Sequence, residues 1–258
     1  MKKESDTMKN TFSPPDIARR GVKELRARAN PAKAAEVQRY FKDAVRSYGI
    51  ASPEVREIAA GLYRDVKGDW TVDDAVELCD ILFPEPELET KAIAALILAR
   101  FNSSYGPELF LDVKKWLSRD YLDNWASVDV FCPYVVGELL VRYPKLIRDI
   151  KLWALHPNRW VKRASAVSFI RLAKKPEFAD VIYEIAVSLF PVEDDLIRKA
   201  NGWLLREVGK KDMRRLERFL VEKGPSIPRT TLRYAIERFE ERKRRALLEK
   251  TRGEARTR

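Results

Sequence analysis

Lys91, Ser127, Arg163 and Lys199 stand 36 residues apart, and three of the four lie inside segments of the same character. "LETKAIAALILAR" (88–100), "WVKRASAVSFIRLAKK" (160–175) and "LIRKANGWLLREVGKK" (196–211) run from a basic residue through small residues to an apolar stretch. Segments such as "PELFLDVKKWLSR" and "PEFADVIYEIAVSLF" lie between them. A unit of two helices repeated at such a period cannot bury its apolar face alone and must stack on its neighbours. The period therefore predicts an all-α chain, a HEAT-like helical-repeat solenoid (an α-α superhelix) with a concave basic cleft. The tetratricopeptide consensus is missing, and an irregular bundle is the alternative.

Local signals agree. The chain has ten glycines, and β-type alternation is nearly absent. Helix starts are marked by Ser52-Pro53, by Thr71 with acids behind it, and by Pro144, Pro157, Pro176 and Pro191. The spacing predicts one repeat domain over residues 16–245. A polar, mobile segment (1–15) precedes it and a densely charged tail (246–258) follows.

Fifty Lys and Arg against 39 Asp and Glu give a net charge of +11, which favours a polyanionic partner, nucleic acid before membrane. If the second helix of each pair lines the concave face, Lys91, Lys162, Arg163, Arg198, Lys199, Arg229 and Arg233 form a stripe along it. Cations in a first helical turn oppose the helix dipole, so a bound anion explains them better than local stability does.

Other chemistries are poorly served. Cys79 and Cys132 sit among apolar residues, and with the single histidine, His156, they make neither a disulfide framework nor a zinc site. His156 reads as a loop residue. "AIAALILA" (92–99) is the longest apolar run and is too short to span a bilayer. The N-terminus lacks the apolar core of a secretory signal. The expectation is a cytoplasmic monomer without membrane contact.

"NWASVDVF" (124–131) sets Trp125 and Asp129 four residues apart, on one helix face. Trp70, Trp116, Trp153 and Trp160 read as core residues. Asp129, flanked by Val128, Val130 and Phe131, needs a partner. Arg163 one repeat later could supply a purely structural ion pair. From spacing alone a site and a structural pair stand level.

"NWASVD", "WVKRASAV" and "ANGWLLRE", in that order and spacing, resemble the AlkD-like DNA alkylation-repair glycosylases, and "RYFKDAVRSYGIASPEVREI" (39–58) resembles their N-terminal segment. The similarity runs from about residue 31 to about residue 240. It implies that Trp125, Asp129 and Trp203 line the cleft for the damaged nucleotide, that Arg163 holds the DNA backbone beside it, and that Tyr40 contacts DNA near the lesion. It also implies hydrolysis of the N-glycosidic bond of cationic alkylpurines such as 3-methyladenine and 7-methylguanine in double-stranded DNA. No cofactor or metal is implied, nor the base flipping usual among glycosylases. Ala126 stands where the family often has an acid. The competing readings are a non-catalytic nucleic-acid-binding module and a protein-binding scaffold.

Overall fold

The computed structural model of the chain describes residues 12–252. It is helical throughout, and among the described residues β-pairing is limited to a bridge between Arg46 and Glu87. The all-α expectation holds, and the helices recur in the helical-repeat pattern that the period predicts. Two compact units meet in sequence between Tyr105 and Gly106.

The first unit contains α1 (Pro14–Ala27), α2 (Pro31–Gln38), α3 (Ser52–Val66), α4 (Val72–Leu82) and α5 (Leu88–Leu98). Asp74 accepts a hydrogen bond from the Thr71 N–H at 2.7 Å, which starts α4 as the sequence predicts. The cap of α3 falls one residue earlier than expected, on Ala51, with Ser52 already helical and Pro53 in the first turn. Helices α1, α3, α4 and α5 pack together around Ile17, Leu25, Ile58, Leu62, Leu78, Ile93 and Ile97, all buried. Glu89 is buried too. Its carboxylate accepts from the Ser47 hydroxyl at 2.6 Å and from the backbone N–H groups of Tyr48, Gly49 and Ile50 at 3.0–3.2 Å. That cluster satisfies the acid and pins the chain ahead of α3.

The second unit holds α6 (Leu109–Ser118), α7 (Trp125–Phe131), α8 (Val136–Arg142), α9 (Ile147–Trp153), α10 (Arg159–Val167), α11 (Ala179–Ser188), α12 (Asp195–Gly209), α13 (Met213–Lys223), α14 (Arg229–Ala235) and α15 (Glu241–Lys250). Helices α7, α10, α12 and α14 pack each on the next, while α9, α11 and α13 back them. Ser127, Arg163 and Lys199 fall on successive members of that inner series, so here the sequence period is the stacking period.

Aromatic pairs fill the layer between. Phe110 stacks on Trp153 with ring centres 5.0 Å apart, and Trp116 meets Phe131 edge to face at 5.8 Å. Trp70, Trp116, Trp153 and Trp160 are all buried, as expected of core residues. The tightest seam joins α12 to α14. A Cβ on Gly202 would lie 2.4 Å from Tyr234 Cβ and 2.6 Å from the Thr231 carbonyl oxygen, so only glycine lets these backbones approach.

Within the charged segment after residue 245, α15 continues to Lys250 and Leu247 is buried. Pro14 and Pro15 of the expected N-terminal segment already belong to α1. Residues 1–11 and 253–258 of the two end segments lie outside the described residues.

Candidate functional site

Helix α7 is short and is started by Asn124, whose side-chain oxygen accepts from the Ser127 N–H at 2.9 Å and from its hydroxyl at 3.1 Å. That cap fixes the first turn and with it the half-buried indole of Trp125. One turn on, Asp129 extends its carboxylate towards α10. Arg163 grips it with two parallel hydrogen bonds, Nε to Oδ1 at 2.9 Å and Nη2 to Oδ2 at 2.7 Å. Its remaining nitrogen, Nη1, donates to the carbonyl of Leu196 on α12. A single guanidinium thus ties three successive inner helices together.

The pair that spacing left open is therefore formed, and it is nearly dry: the side chains are 6% (Arg163) and 18% (Asp129) exposed. Burial pushes the Asp129 carboxyl above the usual carboxylate range, and the charge and hydrogen bonds of Arg163 pull it back. A carboxylate has about four lone-pair directions. Two are directed at Arg163, and the rest remain for a water or a polarised sugar. Burial, reinforced by the Asp129 charge, also drives the Cys132 thiol far up, so it stays protonated and inert.

Trp203 lies on the next inner helix, α12. It too is half-buried, and it lines a cavity of about 320 Å³ with Ile170, Arg171, Lys174 and Glu207. Of the six tryptophans, only Trp125 and Trp203 are partly open, while the others are core. Arg171, which stacks over the Tyr134 ring at 4.6 Å, and Lys174 were not singled out from sequence. The basic run "RLAKK" (171–175) was the available signal. The Leu196 carbonyl has no sequence signature.

The proposed stripe divides. Lys91, in the first unit, is 3% exposed and donates to the Phe83 carbonyl at 2.7 Å, so its ammonium faces the interior rather than a phosphate. Lys199 pairs with Asp195 at 2.8 Å, and that carboxylate holds its pKa above the ordinary value. With Arg163 bound to Asp129, three of the first-turn cations meet a carboxylate or carbonyl of the protein itself. At Arg163 and Lys199 the anion that the helix dipole argument demanded is a carboxylate of the protein itself, and at Lys91 a neutral carbonyl takes its place. For Arg163 and Lys91 the reason is spatial, since each is buried and an enclosed charge must be satisfied, whereas Lys199 pairs one turn back along its own helix.

Other members stay open. Lys162 is half-buried, Arg233 is exposed, and neither has an ion-pair partner among the described residues. Arg198 sits on α12 and Arg229 on α14. At about 100° per residue, Arg198 falls about 140° around α12 from Trp203, away from the face that Lys199 and Trp203 share. Tyr40, two residues beyond α2, is 77% exposed in the first unit. His156 lies in the loop before α10, its Nδ1 accepting from the Asn158 N–H at 3.1 Å. Among the described residues no group of three or more His, Cys, Asp or Glu side chains is placed to hold a metal ion. Nor is any helix there long and apolar enough to cross a membrane.

Comparison with known proteins gives this geometry a family. The family model described as "DNA alkylation repair enzyme" matches residues 22–239. Among solved structures, the "Predicted DNA alkylation repair enzyme from Enterococcus faecalis" superposes with a TM-score of 0.71 at 20% identity. The match covers 83% of this chain and 98% of that one, and at such identity it is a likeness of fold. No curated protein matches the chain. With the family model spanning most of its length, the chain belongs to the DNA alkylation repair enzyme family, and its role lies in the repair of alkylation damage to DNA.

Proposed function

We propose that the protein is a monofunctional DNA glycosylase that hydrolyses the N-glycosidic bond of positively charged alkylated purines in duplex DNA. The observation that carries the reading is the Asp129 carboxylate, nearly dry, held in a two-pronged grip by Arg163 and one turn from the half-open Trp125. A surface acid would need no such mounting.

The chemistry follows from the charge on the substrate. A purine alkylated at N3 or N7 is already a cation, so its departure needs no proton donor. The bond between C1′ and the base nitrogen breaks, its electron pair neutralises the base, and positive charge appears on the deoxyribose as an oxocarbenium ion. A fixed carboxylate opposes that charge where it develops, in a site with little water to screen it. Water then adds to C1′ and loses its proton to Asp129 or to solvent, leaving a free alkylpurine and an abasic sugar. Glycosidases place carboxylates beside sugars on the same logic. Trp125 and Trp203 offer aromatic faces to a cationic base or sugar, worth about 0.5–2 kcal/mol per contact.

In this reading Arg163 is a positioning residue that aims Asp129. Lys162 and Arg233, which keep open charges, and Tyr40 are the DNA-contacting candidates, with Lys199 shared between Asp195 and a phosphate.

The test is release of free methylpurine from methylated duplex DNA. Wild type releases base, and Asp129→Asn binds the same DNA but loses release by about 10²–10³-fold, the usual effect of removing one preorganised electrostatic group. Wild-type protein that binds DNA yet releases no base would leave the non-catalytic binding module standing instead.

A further inference from the structure

We propose that the cavity lined by Arg198, Arg229 and Arg252, on the side of α12 away from Trp203, is a separate binding site that takes a phosphate group. The cavity measures about 590 Å³ and is open to solvent, within the range of small-ligand sites. Three guanidinium groups from α12, α14 and the residue after the α15 cap border it.

What sets these arginines apart is how they are held. Several buried or half-buried arginines elsewhere in the unit are tied to carboxylates: Arg163 to Asp129, Arg206 to Glu237, Arg215 to Asp180. Around this cavity the anchors are neutral. Arg229 donates Nη1 to the Thr251 hydroxyl at 3.1 Å and Nη2 to the Leu248 carbonyl at 3.0 Å. Arg198 donates Nε to the Val192 carbonyl at 2.8 Å. Neutral acceptors fix the orientation of a guanidinium without cancelling its charge. None of the three has a carboxylate partner among the described residues, in a chain with 39 acidic residues to draw on.

Like charges gathered in this way repel, and burial together with the nearby Arg252 and Arg233 pushes the Arg229 pKa down. A tetrahedral oxyanion relieves that repulsion. The planar forks of Arg198 and Arg229 leave terminal N–H donors for its oxygens, and the Thr230 hydroxyl beside them has no partner among the described residues. A phosphate carried by the DNA backbone and one carried by a small free ligand present the same chemistry to this cavity.

Calorimetric titration of the full chain with inorganic pyrophosphate at fixed ionic strength tests the site. Wild type binds, and Arg252→Gln and Arg198→Gln each weaken binding at least tenfold. Arg252→Gln keeps the melting temperature, because its side chain anchors nothing, and Arg242→Gln on exposed α15 serves as the charge control. A second arm measures the salt dependence of binding to undamaged duplex DNA. If the occupant is a DNA phosphate, the slope in Arg252→Gln shrinks by about 0.9. If it is a free phosphorylated ligand, the slope stays and only pyrophosphate binding is lost. The proposal is overturned if wild type takes up pyrophosphate no better than Arg252→Gln, or if Arg242→Gln weakens it equally. Pyrophosphate uptake and base release are measured independently on the wild-type protein, so failure here and failure of the glycosylase reading are separate results.

Discussion

If the Asp129–Arg163 pair exists to aim a carboxylate at the substrate, its structural and chemical contributions can be separated by removing both charges at once. The perturbation is Asp129→Leu with Arg163→Met, compared with each single change. Both side chains are mostly withdrawn from water, 18% and 6% exposed, so either single change strands a nearly dry charge. Breaking such a pair costs roughly 3–5 kcal/mol, and the residual exposure of Asp129 puts this one near 3 kcal/mol. In a cooperative unit of this size each kcal/mol moves the midpoint by roughly 2–4 °C, so a single variant melts about 6–12 °C lower. The double variant loses the pair's attraction but also its desolvation cost, and apolar replacements of similar volume recover most of the loss. The Leu196 carbonyl gives up the Arg163 Nη1 donor, but this residue is only half-buried and water can replace it. The double variant should therefore melt within a few degrees of wild type while base release stays down by at least 10²-fold. Thermal melting and methylpurine release, measured on the same samples, check this. A double variant that is stable and releases base within tenfold of wild type would sink the catalytic reading and leave the pair as a structural tie alone.

Other consequences can be checked separately. Gly202→Ala drives a Cβ to within 2.6 Å of the Thr231 carbonyl at the α12–α14 seam, and overpacking there should cost about 1–3 kcal/mol in a denaturant titration; an unchanged midpoint would contradict the close approach. Burial raises the Asp129 pKa from 3.8, and the reaction needs its ionised form. As pH falls, kcat/KM for base release should therefore drop through a midpoint above 3.8, and Asp129→Asn should lack that limb; a midpoint at or below 3.8 is the contrary result. Lys91→Met should leave the salt slope of DNA binding unchanged while lowering stability by about 1–3 kcal/mol, because the Phe83 carbonyl loses its ammonium donor. Lys162→Gln and Arg233→Gln, by contrast, should each flatten the slope by about 0.9 if they neutralise phosphates.

Helical repetition was legible because the apolar segments recur at a constant interval, and stacking is the only way such units bury their faces. The division of the tryptophans was legible too. Trp70, Trp116, Trp153 and Trp160 read as core and are buried, whereas Trp125 opens α7, Trp203 lies midway along α12, and both are half-buried. The fate of the cations was not legible. A lysine in a first turn looks the same in sequence whether it reaches solvent, as Lys162 partly does, or the Phe83 carbonyl, as Lys91 does. That choice rests on what the adjoining helix presents, and the acceptor is often a backbone carbonyl, which every residue has.

By itself, then, the sequence determined the all-α repeat, the placement of Trp125 and Asp129 on one helix face, and an excess of positive charge. Those follow from local periodicity and composition, which act within a few turns of chain. Only the tertiary structure decided that Arg163 closes on Asp129 and on Leu196, that Lys91 turns inward, and that Arg198 parts from Lys199 to join Arg229 and Arg252. Those outcomes depend on which residues of different helices, 8 positions apart for Lys91 and Phe83 and 34 for Arg163 and Asp129, come within hydrogen-bond reach. Helix-to-helix packing sets that distance, and burial then forces each enclosed charge to find a partner.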